Sequence, residues 1–497
     1  MNTQNALQQV KDIVNRLRYY EYIDCVLDWD YWTSLPVGSK DYAGRVGAYF
    51  QSNAVRDLLS KENKALAAYC RDLDLCTLDD YQRGAVRFFL KSYDDATKVS
   101  PQLKEELAEF SRCSQVLWSE CQKKADWVGF CANVQKMFDL KTRVAEAINP
   151  LRAPYDVLIG ETDAGMDSEI VGCLFSALRD KLIDLLAQAR RAASPSAVSL
   201  AAITAPMDVR KKLIYMAAER TGFDFGKAAI RQGQHPLCLV VGPKDVRLTL
   251  NYDLPLFGTT NTLHECGHGM YGYSSSEQAA AWGLWGAVWG GFNESQARFN
   301  ENIIGKSREF WMQLYPEYCR EIPALSKFTF DEFYTSLIHP QPSTCRMVAD
   351  ELTYTLHIII RFELERDFFA GKLTVNELED AWNDKYQRYL GVCPSSPREG
   401  ILQDIHWASG HVGYFQSYAL GDMYAAQIKA KLMQAVPDAF SRLANGDGST
   451  INKWLQQNVW QYGMTYTPEE LIVKATGAPL SAQHLIDHLT DRYLPNK

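Results

Sequence analysis

Residues 237–268 read LCLVVGPKDVRLTLNYDLPLFGTTNTLHECGH and combine a short β-ribbon with a pair of histidines. Residues 237–241 form an apolar run, 242–245 are turn-like, and 246–251 alternate apolar and polar residues, which is typical of a half-buried strand. Outward from this stretch, apolar residues recur at spacings of three and four over most of the chain, which indicates amphipathic helices. The sequence therefore predicts a mainly α protein with a small β-sheet.

The pentapeptide His264-Glu265-Cys266-Gly267-His268 is an HExxH pattern. Two histidines four residues apart project from one face of a helix, so both imidazoles can bind one divalent metal, usually zinc. Glu265 lies about 100° around the helix from His264 and can act as a general base toward a metal-activated water. The polar residues 259–261 can cap the helix. The alternative is a helix with two unrelated histidines, against which the chain's total of only nine histidines counts.

A tetrahedral metal site with one open position needs a third protein ligand. Glu294 lies 26 residues after His268, which leaves room for a loop and a returning helix. Glu294, Arg298 and Glu301 fall on one helical face at spacings of four and three. An ordinary surface pair of Glu and Arg would show the same spacing. The spacing favours Glu294 as the ligand and leaves the surface pair open.

Segment 346–366 predicts a long helix with a polar stripe along one side. The stripe consists of Arg346, Asp350, Thr353, His357 and Arg361. It is either a solvated face or the wall of a cleft. In the second case, an arginine at its end could hold a substrate carboxylate with its planar guanidinium fork.

Segment 400–407 (GILQDIHW) places His406 beside Trp407. A histidine beside an aromatic residue is more often structural than catalytic, so both interpretations stay open. Segment 413–421 (GYFQSYALG) follows, with Tyr414 and Tyr418 as candidate donors to an oxyanion.

Composition restricts the class of protein and its partners. The 497-residue chain has 52 Lys plus Arg and 60 Asp plus Glu, a formal net charge of -8, and no basic block, which argues against a nucleic-acid or anionic-membrane partner. No run of about 18 apolar residues predicts a membrane span, and the N-terminus does not resemble a signal peptide. Its 12 cysteines lack the CxxC spacing and indicate free thiols of a reducing compartment. We therefore expect a cytoplasmic protein.

With these segments identified, the chain resembles the carboxypeptidase Taq family of metallocarboxypeptidases. The family motifs HPF, DxRxT, HExxH, HESQ, IRxxAD and GxxQDxHW have counterparts here in the same order. These counterparts are residues 235–237, 245–249, 264–268, 293–296, 345–350 and 400–407. Residues 28–36, 155–166 and 454–463 are also similar to family segments, so the resemblance covers the whole chain.

The resemblance implies a large, saddle-like helical body with a deep central cleft and a small β-sheet beside the metal site. We expect one catalytic unit over 1–497, with a mostly helical part at 1–200 and a metal- and substrate-binding part at 201–497. Members of the family are cytosolic homodimers that hydrolyse the C-terminal peptide bond of peptides with a free C-terminus.

The resemblance also implies the metal ligands and the base. His264, His268 and Glu294 would hold one divalent metal per chain, zinc in the first place, with cobalt or manganese as alternatives. Glu265 would be the general base.

Further roles follow for the substrate side of the site. Arg346 would bind the terminal carboxylate, and His406 would stabilise the tetrahedral intermediate. Tyr418, with Tyr414 as the alternative, would assist as a hydrogen-bond donor. His235 and Arg247 would bind substrate near the blind end of the groove.

The chain departs from the family pattern at four positions, none of which is a metal ligand or the base. Asn293 stands for His, Leu237 for Phe, Cys345 for Ile, and Gly272 for Glu. These departures bear on tuning and side-chain preference rather than on the reaction class. Two alternatives remain: a related helical zinc endo-oligopeptidase or dipeptidase without the carboxylate clamp, and a non-catalytic helical interaction protein.

Overall fold

The computed structural model describes residues 2–192, 200, 203–233, 235–288 and 290–494. Helices make up most of these residues, and the strands form one small three-stranded sheet. The predicted fold class, mainly α with a small β-sheet, is confirmed. None of the helices in the described ranges is long and apolar enough to cross a membrane.

The chain begins with a series of helices. They are α1 (Thr3–Thr33), α2 (Lys40–Leu58), α3 (Lys61–Arg71), α4 (Asp80–Lys98), α5 (Pro101–Lys124), α6 (Trp127–Ile148), α7 (Pro154–Thr162), α8 (Ser168–Ala192) and α9 (Met207–Arg220). The helices predicted over 103–124 and 168–193 correspond to α5 and α8; Ala193 itself lies outside the described residues. The Ser100 hydroxyl caps α5 by accepting from the Leu103 amide at 3.2 Å, which satisfies an otherwise unpaired donor.

The sheet follows α9 and has the order β1-β3-β2. Its strands are β1 (Ala228–Gln232), β2 (Leu237–Gly242) and β3 (Asp245–Leu250). β2 and β3 form the predicted ribbon and pair antiparallel, with Leu239 opposite Arg247. β1 pairs in parallel with β3 and was not predicted, because its sequence AAIRQ has neither an apolar run nor a clear alternation.

The rest of the chain is again helical. The helices are α10 (Thr259–Gly272), α11 (Glu277–Ala281), α12 (Gly290–Arg298), α13 (Arg308–Glu321), α14 (Phe330–Leu337), α15 (Glu351–Phe369), α16 (Leu378–Leu390), α17 (His406–Ser409), α18 (Gln416–Ala435), α19 (Ala439–Ala444), α20 (Ser449–Asn458), α21 (Pro468–Thr476) and α22 (Gln483–Tyr493). A π-helical segment, Phe299–Ile304, continues α12.

The predicted helix over 346–366 starts too early. Arg346 lies in a short 3-10 turn, and α15 begins only at Glu351. Asp350 is its N-cap and accepts from the amides of Leu352 and Thr353 at 3.0 and 3.1 Å. Periodicity overran this boundary because the residues before the cap happen to share the spacing of the helix.

The predicted capping of α10 by residues 259–261 is also wrong. The N-cap is Gly258, in the left-handed region with φ 78°, and no side chain caps the helix. The Thr259 hydroxyl instead donates to the Leu256 carbonyl at 2.6 Å. Leu256 and Phe257 also have positive φ, 46° and 62°, a conformation that is unfavourable for side chains of this kind. A tight turn of the backbone therefore precedes the first residue of α10.

Close helix packing fixes α10 between the sheet and α12. A Cβ on Gly272 would lie 2.5 Å from a methyl of Val240 on β2, and one on Gly267 would lie 2.4 Å from the Gln296 carbonyl of α12. Only glycine permits these approaches. The departure at Gly272 thus has a packing reason: a side chain there would clash with Val240, and either Val240 or α10 would have to shift.

Candidate metal centre and active site

The two histidines of α10 are held through their Nδ1 atoms. His264 Nδ1 lies 2.9 Å from Glu301 Oε2, and His268 Nδ1 lies 3.1 Å from Asn293 Oδ1. A carboxylate and an amide oxygen only accept, so each ring donates its Nδ1 proton and presents Nε2 as the atom that could bind a metal. The Nε2 atoms of His264 and His268 lie 3.9 and 3.6 Å from Glu294 Oε2.

Glu294 is oriented by Arg298, one turn further along the chain. Its Oε1 accepts from Arg298 Nε at 2.8 Å, while its Oε2 faces the histidines. Arg298 also donates to Glu301 Oε2 at 3.2 Å. The Glu–Arg pair exists, but it is buried and not an ordinary surface pair, and it backs the candidate ligand. Burial raises the pKa of Glu294, but His264 and Arg298 outweigh this and bring it below its ordinary value.

The three side chains fit a divalent metal. The ligand atoms of His264, His268 and Glu294 lie within 4.8 Å of one another. Two neutral imidazoles and one carboxylate are a donor set for divalent transition metals, with one position left for water or substrate. The imidazoles of His264 and His268 are 19% and 17% exposed, so the group is accessible from solvent.

Glu265 lies beside this group without belonging to it and is 7% exposed. Burial raises the pKa of Glu265 to about 7; His264 opposes this effect, while Glu294 and Glu301 add to it. A carboxyl group with a pKa near neutrality can both take up and return a proton.

A second group of charges centres on Asp404. Its Oδ1 accepts from Arg346 Nη2 and Nε at 2.9 and 3.2 Å, and its Oδ2 accepts from Arg361 Nε at 2.7 Å. The Tyr354 hydroxyl accepts from Arg346 Nη1 at 3.1 Å. Burial raises the pKa of Asp404, but the two guanidinium groups lower it far below its usual range. The carboxylate therefore remains charged and fixes both arginines.

The polar stripe along α15 is not a solvated face. Thr353, His357 and Arg361 are fully buried. His357 Nδ1 lies 2.8 Å from the Tyr386 hydroxyl, and Arg361 donates to Asp404. The stripe is a buried polar network, and it contacts Arg346 through the carboxylate of Asp404, which Arg361 and Arg346 share.

His406 and Tyr418 are brought together next to this network. His406 Nε2 lies 3.2 Å from the Tyr418 hydroxyl, and its ring stacks on Phe415 with centroids 4.4 Å apart. Burial lowers the pKa of His406 to about 3; Asp404 opposes this effect and Arg346 adds to it. The imidazole is therefore neutral at ordinary pH. Burial raises the pKa of Tyr418, so its hydroxyl keeps its proton.

Two buried carboxylates that support these segments could not be identified from the sequence. Glu365 accepts from Trp407 Nε1 at 2.7 Å and from the Gly413 amide at 3.0 Å, which holds the chain between His406 and Tyr418. The available signal was Trp407, whose indole N–H needs an acceptor when buried.

Asp163, the second of these carboxylates, joins the starts of α12 and α18. It accepts from the Gly291 amide at 2.6 Å, the Ser417 hydroxyl at 2.7 Å and the Gln416 amide group at 3.0 Å. The helices that carry Glu294 and Tyr418 are thereby tied together.

The structure does not join His235 and Arg247 to the metal group. Arg247 lies on β3 and pairs with Asp245 at 3.0 Å. The side chain of His235 is exposed, and its carbonyl accepts from the Thr249 hydroxyl at 2.7 Å. Among the described residues, neither makes a hydrogen bond or ion pair with the three candidate ligands.

The helical fold and this group of two histidines and two carboxylates are typical of a metal-dependent hydrolase. The sequence model of the family described as carboxypeptidase Taq (M32) metallopeptidase matches residues 9–493. The chain is 32% identical over 488 residues to carboxypeptidase 1 of Bacillus subtilis, covering 97% of each protein.

Solved structures agree with this match. The chain superposes on the Pyrococcus furiosus carboxypeptidase with a TM-score of 0.94 at 29% identity, covering 99% of both chains. For the M32 carboxypeptidase of Deinococcus radiodurans the TM-score is 0.92 at 30% identity, covering 98% of this chain and 99% of that one.

The chain therefore belongs to the M32 carboxypeptidase Taq family. It is a metal-dependent carboxypeptidase, a hydrolase that acts on peptides. The family implies a divalent metal, and His264, His268 and Glu294 form a group that could hold it. The endopeptidase, dipeptidase and interaction-protein alternatives are not favoured.

Proposed function

We propose that His264, His268 and Glu294 hold one zinc ion, and that this chain uses it to remove C-terminal residues from peptides with a free terminal carboxylate. The observation that carries the proposal is the paired orientation of the histidines: an acceptor holds each Nδ1, and each Nε2 faces Glu294 Oε2. Cobalt and manganese suit the same donors and are the alternatives to zinc.

Glu265 is the proposed general base. A divalent metal in this group would lower the pKa of a bound water toward about 7 and polarise the scissile carbonyl. The Glu265 carboxylate then accepts the proton of the attacking water and donates it to the leaving amine. Burial raises the pKa of Glu265, which favours uptake of the water proton before it is passed to the leaving amine.

Arg346 is the proposed anchor for the terminal carboxylate. Asp404 takes up Nε and one N–H of Nη2, and Tyr354 takes up one N–H of Nη1. A guanidinium group has five N–H bonds in all, so one on each Nη remains for a carboxylate. These hydrogen bonds fix the plane of the guanidinium. Binding of the terminal carboxylate by the two free N–H bonds would then restrict cleavage to the C-terminal peptide bond.

His406 and Tyr418 are the proposed donors to the oxyanion. Both are neutral, because burial lowers the pKa of the imidazole and raises that of the phenol. Their side chains are hydrogen-bonded to each other at 3.2 Å. When an oxyanion forms, it replaces this neutral acceptor, and the new hydrogen bond is stronger because its acceptor is charged. His235 and Arg247 remain assigned to substrate binding at the far end of the groove, by resemblance alone.

The assignment extends to the whole chain. We propose that 1–497 acts as one catalytic unit, in the cytoplasm and as a homodimer, as the family resemblance implies. Sedimentation of the purified protein measures the assembly state, and cell fractionation measures the location.

The test uses one peptide with either a free or an amidated C-terminus. Mass spectrometry of the products, with and without a chelator, should show stepwise loss of C-terminal residues from the free acid only, and only with metal present. Readdition of zinc should restore activity. Cleavage of both forms at equal rates would remove the terminal-carboxylate role, and activity that survives complete metal removal would remove the metal role.

A further inference from the structure

Tyr354 lies on α15 between two buried arginines. The centroid of its ring is 3.9 Å from the guanidinium carbon of Arg298. Its hydroxyl accepts from Arg346 Nη1 at 3.1 Å. The tyrosine is 7% exposed. One side chain therefore contacts a cation with its face and a different cation with its tip.

The two arginines serve different halves of the site. Arg298 holds Glu294 Oε1 at 2.8 Å and so directs Oε2 toward the histidines. Arg346 is the proposed anchor of the substrate carboxylate. Tyr354 thus touches both arginines directly.

We propose that Tyr354 is a positioning residue that sets the separation between the metal ligand Glu294 and the carboxylate anchor Arg346. This inference rests on the proposed function of both residues. A carboxypeptidase has to hold the terminal carboxylate one residue, about 3.3–3.6 Å of extended chain, beyond the scissile carbonyl. Tyr354 keeps this separation constant, because an aromatic ring is rigid and has few rotatable bonds.

The two contacts of Tyr354 differ in chemistry and can be removed separately. The ring attracts Arg298 through its π face, an interaction that strengthens when both groups are removed from water. The hydroxyl accepts a charge-assisted hydrogen bond from Arg346. Asp404 supports Arg346 from another side, so loss of the hydroxyl should misplace the guanidinium rather than release it.

The experiment compares Tyr354→Phe with Tyr354→Leu in the full-length, metal-loaded protein. Tyr354→Phe keeps the ring and removes the acceptor. It should raise KM for free-acid peptides roughly tenfold and also lower kcat, because a displaced anchor moves the scissile carbonyl away from its reactive position. Zinc affinity, measured by chelator competition, should remain unchanged.

Tyr354→Leu removes the ring as well. It should weaken zinc binding by roughly ten- to thirtyfold in addition to raising KM. The matched control is Tyr389→Phe on α16, which also removes a buried hydroxyl. That hydroxyl donates to Glu363 on α15 at 2.7 Å. Neither KM nor zinc affinity should change in that variant.

Two outcomes would overturn the inference. An unchanged KM in Tyr354→Phe means that the hydroxyl does not position Arg346. Wild-type zinc affinity in a folded Tyr354→Leu protein means that the ring does not hold Arg298 and Glu294. Failure of the proposed function would show in the wild type, as equal cleavage of free and amidated peptides. The comparison of zinc affinity between the wild type and Tyr354→Leu would still test the contact with Arg298.

Discussion

The metal group and the Arg346 group are built on the same plan with opposite charges. In the first, the anion Glu294 is backed by the cation Arg298, which occupies one oxygen and leaves the other free. In the second, the cation Arg346 is backed by the anion Asp404, which together with the Tyr354 hydroxyl occupies three of its N–H bonds and leaves two free. In both, a buried counter-charge fixes the functional group while part of its bonding capacity is kept for a ligand.

The two groups differ in how far apart their members are in the sequence. Glu294 and Arg298 are one helical turn apart, and the histidines lie on a single neighbouring helix. Arg346 and Asp404 are 58 residues apart and come from a short turn and a loop. Local spacing therefore predicts the metal group, whereas the Arg346 group depends on tertiary packing.

The largest effect is expected at the metal group. Glu265→Gln should lower kcat by about two to four orders of magnitude, because the amide cannot take up the proton of the attacking water. Metal content should remain that of the wild type, because Glu265 is not a ligand. Hydrolysis of a free-acid peptide and metal analysis of the same sample measure both. The control is Glu277→Gln, an exposed acid on α11; near-wild-type turnover in Glu265→Gln would remove the base assignment.

The next effect tests whether the Arg346 group also depends on its counter-charge. Asp404→Asn leaves Arg346 and Arg361 without their shared anion, and breaking a buried pair costs about 3–5 kcal/mol. A clear fall in the thermal midpoint and a rise in KM are expected. Asp438→Asn is the control, since that carboxylate pairs with Arg442 at 2.7 Å with both side chains half-exposed; such pairs contribute about 0–1 kcal/mol. Equal midpoints in the two variants would contradict the comparison.

A smaller effect is expected from the support of His268. Asn293→Ala removes the acceptor for Nδ1, and loss of such a partner weakens metal binding by about 10–100-fold. Asn293→Asp keeps an acceptor oxygen and should retain most of the affinity. Chelator competition measures both, with the exposed Asn445→Ala as control. If Asn293→Ala binds zinc as the wild type does, Asn293 does not orient the ring.

The smallest effect is the pH dependence of stability that comes from Glu365, a buried carboxylate that makes no ion pair among the described residues. Burial raises the pKa of Glu365 to about 7, although Gly413, Trp407 and Tyr155 donate to it and lower it. Between the ordinary pKa of 4.5 and the raised one, the folded state therefore binds a proton that the unfolded state has released. This contribution to stability is present at low pH and is lost as pH rises through about 5 to 7, by about 1 kcal/mol per pH unit.

Glu365→Gln cannot titrate and should show a flatter fall of the thermal midpoint over that range than the wild type. Asp404 is the contrast: its lowered pKa makes its contribution to stability present above the ordinary pKa and lost on acidification. Identical pH profiles of the wild type and Glu365→Gln would show that Glu365 does not titrate in this window.

Sequence reasoning predicted what is local and missed what is assembled by packing. The β2–β3 ribbon and the HExxH helix follow from two-residue and four-residue periodicities. Strand β1 could not be predicted because its pairing partner defines it, and the start of α15 was missed because the cap Asp350 sits inside a helical spacing.

The same limit applies to the site. The spacing of the two histidines indicates candidate metal ligands and favours Glu294 as the third, and the resemblance raised Arg346 and His406 to candidates. The roles of Glu365, Asp163 and Tyr354 depend on contacts between helices that no spacing encodes. The polar stripe was interpreted as a surface or cleft wall, because a sequence pattern does not distinguish a solvated polar face from a satisfied buried one.

The contact between Gly421 on α18 and Glu294 on α12 has a mechanical consequence. A Cβ at Gly421 would lie 2.6 Å from Glu294 Cγ, so the backbone of one helix presses directly on the stem of a candidate metal ligand. Interiors this dense transmit strain instead of absorbing it. Metal affinity should therefore depend on how closely α18 packs against α12. A change that weakens this packing should release a bound metal before the protein unfolds.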